Sequence, residues 1–174
     1  MNIKKVKIGI LGGSFDPAHQ GHLAISKEAK KRFKLEKVIW AITKQNPLKS
    51  ESKTPITKKI KDCKKVIGLN SFIKVKFYEN IIKSNKTIYL INHLKKNKNF
   101  DIYFLMGADN LINFHRWHKS ELIAQKCNII VFDRHGYKKN SLKSKTFKKL
   151  NNKTLTFVEF KKVNISSSQL RKIL

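Results

Sequence analysis

Short apolar runs alternate along this chain with stretches whose apolar residues return every three or four positions. Residues 7–11 form the first run, apolar enough for a strand buried on both faces of a parallel sheet. Residues 21–33 then carry Leu23, Ile25, Ala29 and Phe33 on one helical stripe, with Lys27, Lys30 and Lys31 outside. A second strand is expected at 38–42. Thr54 and Pro55 suit the cap and first position of a helix running toward Gly68. Residues 73–78 alternate apolar and basic with the period of a strand, and 84–94 read as a helix with Ile88, Ile91 and Leu94 facing in. The run 102–106 is too hydrophobic for a surface and belongs at the centre. A short helix at 122–125, a strand at 128–132, an exposed lysine-rich helix at 141–150 and a last strand at 155–160 complete the pattern. Strands alternating with helices predict an α/β fold, with a parallel sheet flanked by helices and right-handed crossovers.

A chain of 174 residues with 40% hydrophobic content fits one domain, residues 1–174, with a substantial core. No apolar run approaches the roughly 20 residues of a membrane helix. The start, Met1 to Lys5, lacks the apolar segment of a signal peptide, so a cytoplasmic protein is expected. Cys63 and Cys127 lack metal-ligand spacing and read as two free thiols. The net charge of +28 raises nucleic-acid binding as a function. Its texture argues against that: the excess is nearly all lysine, spread evenly, and the only arginines are Arg32, Arg116, Arg134 and Arg171. Base-reading surfaces favour the guanidinium fork. The charge reads instead as a residue bias that also attracts nucleoside triphosphates, with no specific nucleic-acid partner and no membrane partner. Oligomeric state is left open, a homo-oligomer included.

The chemistry concentrates directly behind the first strand, in Gly12-Gly13-Ser14-Phe15-Asp16-Pro17-Ala18-His19-Gln20-Gly21-His22. Two glycines there permit a sharp turn and a close backbone approach to a ligand. N–H groups at the helix start then point at an anion. His19 and His22, three apart, share a face and can stabilise charge developing on phosphoryl oxygens. The pattern is neither a Walker loop nor a dinucleotide fingerprint.

This stretch resembles the signature of nucleotidyltransferases that move an adenylyl group from ATP to a phosphate; its HxGH core is shared with class I aminoacyl-tRNA synthetases. At the other end, Ile165-Ser166-Ser167-Ser168-Gln169-Leu170-Arg171 is similar to the family's Ile-Ser-Ser-Thr-x-x-Arg, with Ser168 for threonine. Gly107-Ala108-Asp109-Asn110-Leu111 followed by Phe114 and Trp117 resembles one branch in particular, the bacterial nicotinate-nucleotide adenylyltransferases. Between these, Pro47-Leu48-Lys49 has leucine where the family has histidine. Thr87 matches a family threonine, while Tyr89 and Leu90 replace its aspartate and second threonine. Arg134-His135-Gly136 stands for Arg-Pro-Gly.

The resemblance covers essentially the whole chain and implies a Rossmann-like nucleotidyltransferase fold. It also implies adenylyl transfer from ATP to nicotinate mononucleotide, giving deamido-NAD and pyrophosphate in NAD biosynthesis. His19 and His22 would be catalytic. Gly12, Gly13, Ser14, Phe15, Arg134, Ser166, Ser167, Ser168 and Arg171 would join them around ATP. Asn46, Lys49, Thr87, Gly107, Asp109 and Trp117 would hold the acceptor. No pair of acidic residues sits in a motif, so Mg²⁺ is expected to arrive on ATP. Plainer readings stay open here: a helix cap for Asp109, a core anchor for Trp117, a surface position for Arg134, a solvated loop for 43–49. For the whole chain, an adenylyltransferase using nicotinamide mononucleotide or phosphopantetheine, or a basic RNA-binding protein, are the alternatives.

Overall fold

The computed structural model describes residues 4–45 and 52–160. Its strands are β1 (Val6–Gly13), β2 (Lys37–Ile42), β3 (Ile73–Lys76), β4 (Phe100–Gly107), β5 (Asn128–Phe132) and β6 (Leu155–Val158). They pair in parallel in the order β3-β2-β1-β4-β5-β6. The expected α/β class with a helix-flanked parallel sheet is therefore the observed one. Because the order reverses between β1 and β4, a crevice opens at the carboxyl ends of those two strands, where open sheets of this kind bind ligands.

Period-two alternation divides the core into two layers. Ile8 and Ile10, Ile39 and Ala41, Ile102, Phe104 and Met106, and Ile129 and Val131 face one side. There they meet α4 (Thr87–Leu94), α5 (Ala108–Asn113) and α6 (Ser120–Lys126). Leu11, Val38, Trp40, Ile42, Leu105, Ile130 and Phe132 face the other. That side is covered by α1 (Gln20–Phe33) and α2 (Ile56–Ile67). α1 ends on Lys30, Lys31 and Arg32, whose charge complements the helix dipole, and α2 ends at Gly68 with φ 54°. Short helices α3 (Glu79–Ile82), α7 (Lys138–Leu142) and α8 (Lys145–Leu150) and a 3₁₀ turn at Phe114–Arg116 fill the connections. None of the helices among the described residues is long and apolar enough to cross a membrane.

The departures from the sequence pattern have local causes. Thr54 does not cap α2: its hydroxyl donates to Asp16 Oδ1 at 2.7 Å, and Pro55 takes the cap position without a side-chain bond. The strand expected at 73–78 stops at Lys76 because Tyr78 already introduces α3. The helix expected from 84 starts at Thr87, since the Ser84 hydroxyl accepts the Lys86 N–H and holds a turn. The lysine-rich segment 141–150 is two helices: Ser144 Oγ accepts the Phe147 N–H at 3.1 Å and starts α8 afresh.

Candidate active site

The carboxyl ends of β1, β2, β4 and β5 surround a cleft of about 650 Å³. Gly12, Gly13, Ser14, Phe15, His19 and His22 line its middle. Thr43, Glu79, Thr87, Leu90, Trp117 and His118 line it as well, and so do Gly107, Asp109, Asp133, Arg134 and Tyr137. Thus of the expected site residues in the described chain, all reach one cavity. Asn46, Lys49, Ser166, Ser167, Ser168 and Arg171, and with them Leu48, lie outside the described residues.

Gly12 and Gly13 do not make a turn. They are the last residues of β1, paired with Ala41 and Ile42, and neither has a positive φ. What they supply is a floor without Cβ atoms: a methyl group on Gly12 would have only the Phe104 ring near it, at 3.6 Å. The turn is made by Phe15, whose φ is 46°. Expected among the ATP contacts, Phe15 is 1% exposed and stacks its ring on Trp40 at 5.0 Å, beneath His22. Asp16 ties this loop down, accepting hydroxyl hydrogen bonds from Ser52 at 2.6 Å and Thr54 at 2.7 Å.

The two histidines cap their own helix. His19 Nδ1 accepts the Gly21 N–H at 3.1 Å, and His22 Nδ1 accepts the His19 N–H at 3.2 Å. A capping box normally uses serine or threonine with glutamate; here imidazoles do both jobs. The arrangement departs from the expected bare helix start, because the Gly21 N–H is already taken. It also has a chemical consequence. A nitrogen that accepts a hydrogen bond carries no proton, so the bonds assign both neutral rings to the tautomer with hydrogen on Nε2. Both rings belong to the cleft lining, their centroids 3.8 Å apart.

Asp109 lies in the first turn of α5 and pairs its Oδ2 with Arg134 Nη1 at 2.7 Å. Its Oδ1 is buried with no hydrogen-bond partner among the described residues. The two residues were expected on different substrates; at this distance they form one unit. Gly107 adjoins them, since a Cβ there would lie 2.5 Å from Asp109 Oδ1. Trp117 is half-buried, edge-on to Phe104 at 6.0 Å and 5.3 Å from Phe114, with its remaining surface on the cleft. Thr87 opens α4 at the wall. The unusual pair beside it diverges: Leu90 is a buried apolar lining, whereas Tyr89 turns to the rim and stacks on His118 at 6.0 Å.

Sequence reasoning missed the residues that hold the end of β2. Lys59, fully buried on α2, donates from Nζ to the carbonyl of Lys44 at 3.1 Å. Glu79 accepts the Lys44 N–H at 3.2 Å and the Thr43 hydroxyl. A lysine among many in a basic helix carries no local signal that it points inward. Burial pushes the thiols of Cys63 and Cys127 up to about 12, which removes them from nucleophilic chemistry. Among the described residues no three His, Cys, Asp or Glu side chains group closely enough to hold a metal.

A family model described as cytidylyltransferase-like matches residues 10–173. A probable nicotinate-nucleotide adenylyltransferase of Pelagibacter ubique (strain HTCC1062) is 65% identical over 173 residues, covering 99% of this chain and 96% of that protein. One of the same name from Clostridium botulinum (strain Eklund 17B / Type B) is 34% identical over 169 residues, 95% of this chain and 84% of the relative. Among solved structures, the nicotinic acid mononucleotide adenylyltransferase of Plasmodium falciparum, complexed with NaAD, superposes with a TM-score of 0.77. The match has 23% identity and covers 95% of this chain and 82% of that one, a likeness of fold.

Proposed function

The chain belongs to the cytidylyltransferase-like family, and from that premise we infer that it transfers the adenylyl group of ATP to nicotinate mononucleotide. The products are deamido-NAD and pyrophosphate, and the step serves NAD biosynthesis. The observation that supports this reading is the paired imidazole cap, whose two histidines line one cleft with Gly12, Gly13 and Asp109.

The acceptor's 5′-phosphate attacks the α-phosphorus of ATP in line; the bond to the β-phosphate oxygen breaks and pyrophosphate leaves. No enzyme nucleophile is required. Catalysis then consists of positioning and of stabilising charge on the equatorial oxygens. His19 and His22 donate to those oxygens from Nε2. Gly12 and Gly13 let the phosphates lie on bare backbone, and Ser14 adds a hydroxyl beside them. Ser166, Ser167, Ser168 and Arg171 are assigned to the β- and γ-phosphates on the strength of their sequence motif. Asp109 and Arg134 act together: the carboxylate accepts a ribose hydroxyl while the guanidinium balances its charge. Trp117 and Thr87 border the pyridine ring, and Asn46 and Lys49 receive the acceptor phosphate. Mg²⁺ would be brought by ATP and would neutralise charge on its phosphates. Glu79, Asp109 and Asp133 each bond to a protein group, respectively the Lys44 N–H, the Arg134 guanidinium and the Arg134 N–H. The reading places the enzyme in the cytoplasm.

The test is pyrophosphate release from Mg-ATP with each mononucleotide offered separately. Turnover should be greatest with nicotinate mononucleotide. No release with any acceptor would refute the reading, and release only with nicotinamide mononucleotide would change the substrate.

A further inference from the structure

Trp40 lies beneath the cleft lining and is 0% exposed, so it touches neither substrate. It nevertheless reaches His22 by two routes. Its Nε1–H donates to Ser26 Oγ at 2.8 Å, and the Ser26 hydroxyl donates to the main-chain carbonyl of His22 at 2.9 Å. Ser26 is also 0% exposed, and its bond to the indole is buried. The second route is a column of rings. Trp40 stacks on Phe15 at 5.0 Å with 18° between the planes, Phe15 meets His22 at 4.7 Å, and His22 meets His19 at 3.8 Å. Trp40 and His22 are themselves 5.8 Å apart.

The backbone of His22 is thus fixed from one side and its imidazole from another, both by one residue of β2. Since the His22 ring caps the amide of His19, an orientation imposed on His22 passes to the partner histidine. The serine at this point could be an ordinary helix serine bonding back to the preceding turn. The indole donor, drawn from another element, is what turns a local bond into a brace.

We propose that Trp40 is a positioning residue for adenylyl transfer, acting through Ser26 and Phe15 to hold the His19–His22 pair in register with the reacting phosphate. The proposal rests on the function given above. Its chemical basis is that donors to a developing charge act through placement, and a misplacement of about 1 Å can cost on the order of 10²-fold in rate.

The test uses Trp40→Phe, which keeps a ring on Phe15 and removes the N–H donor, and Ser26→Ala, which interrupts the bonded route alone. Trp40→Phe should lower kcat about tenfold or more, with KM for both substrates within about threefold. In a His22→Ala background the same substitution should cost less than about threefold, because the group it positions is gone. A general packing role would lower kcat equally in both backgrounds and overturn the proposal, as would wild-type kcat in Trp40→Phe. If Trp40→Phe does not fold, Ser26→Ala decides on the same two criteria. An independent readout is the ¹⁵N signature of the His22 ring, which should show the Nε2–H tautomer in the wild type and a mixture in Trp40→Phe. An unchanged tautomer would count against the brace. Wild-type protein silent with every acceptor would sink the parent reading, and the ring signature would still judge the brace.

Discussion

Replacing Gly107 with alanine adds one methyl group at the end of β4, and the structure allows its effect to be worked out. The backbone there, at φ −79° and ψ 157°, accepts any residue, so no conformational strain enters. The obstacle is Asp109: the new Cβ would sit 2.5 Å from Oδ1, where ordinary contact begins at 3.4 Å, so the carboxylate must retreat by roughly 0.9 Å. The carboxylate must turn or shift to make room, which disturbs the contact of Oδ2 with Arg134 Nη1, now at 2.7 Å. The pair is partly exposed, its side chains 28% and 16% accessible, so breaking it should cost about 0–1 kcal/mol. For a chain of this length that is a fall in Tm of no more than about 4 °C.

Activity should suffer far more. Misplacing a substrate-orienting group by about 1 Å costs on the order of 10²-fold, so kcat/KM should drop about 30- to 100-fold. Gly9→Ala supplies the contrast, since its Cβ would meet Leu35 at 2.8 Å, Val38 at 3.2 Å and Leu105 at 3.3 Å, all inside the core. Overpacking there should cost about 1–3 kcal/mol with turnover retained in the folded fraction. Steady-state pyrophosphate release and thermal melting on both variants separate the two effects. Wild-type kcat/KM in Gly107→Ala would refute the reasoning, and so would a Tm loss as large as that of Gly9→Ala.

His22→Ala should lower kcat by about 10²–10³ in the pyrophosphate assay, the usual cost of removing one donor to a transition state, with the melt little changed. Trp117→Ala should raise KM for the acceptor by about 5- to 150-fold, the range of about 1–3 kcal/mol that a stacked aromatic contributes. KM for ATP should hold, and Trp117→Phe should recover most of the loss. Cys63 and Cys127, held near 12 by burial, should react with a disulfide reagent at pH 8 only after denaturation. Because a thiol raised in the folded state keeps its proton there, this contribution to stability is complete below about pH 9. It should be lost progressively as pH rises toward 12, which alkaline melts would detect.

The fold was legible because each strand combines an apolar run with a breaker. Residues 102–106 and 128–132 needed no tertiary information to be read as buried strands, and the observed strands contain them. Helix boundaries were less legible where a serine could serve either side: nothing local says that Ser144 starts a helix while Ser141, three residues earlier, is buried and bonds back to Lys138. For the site, His19 and His22 announced themselves by spacing. The Nδ1 bonds did not, because imidazoles in a capping box fall outside the usual serine and glutamate pattern. Asp109 and Arg134 stand 25 positions apart on different strand ends, and their pairing is a product of the parallel register of β4 and β5.

That last point extends across the cleft. Two of the groups assigned to substrate are braced by a residue from a different element. Trp40 of β2 stands behind His22 of α1, and Arg134 beyond β5 stands behind Asp109 of α5. The end of β2 is gripped from both sides, by Lys59 of α2 at the Lys44 carbonyl and by Glu79 of α3 at the Lys44 N–H. A buried ammonium group is costly to desolvate unless acceptors surround it, so Lys59 fixes that strand end firmly once folded. The chain leaves this grip directly into the segment that carries Asn46 and Lys49. α2, which contributes no residue to the cleft lining among the described residues, thereby fixes Lys44, two positions before Asn46, which is proposed to receive the acceptor phosphate. Function in this fold depends on the sheet's crossovers bringing the braces together, and substitutions in α2 or β2 that never touch a nucleotide should register in the kinetics.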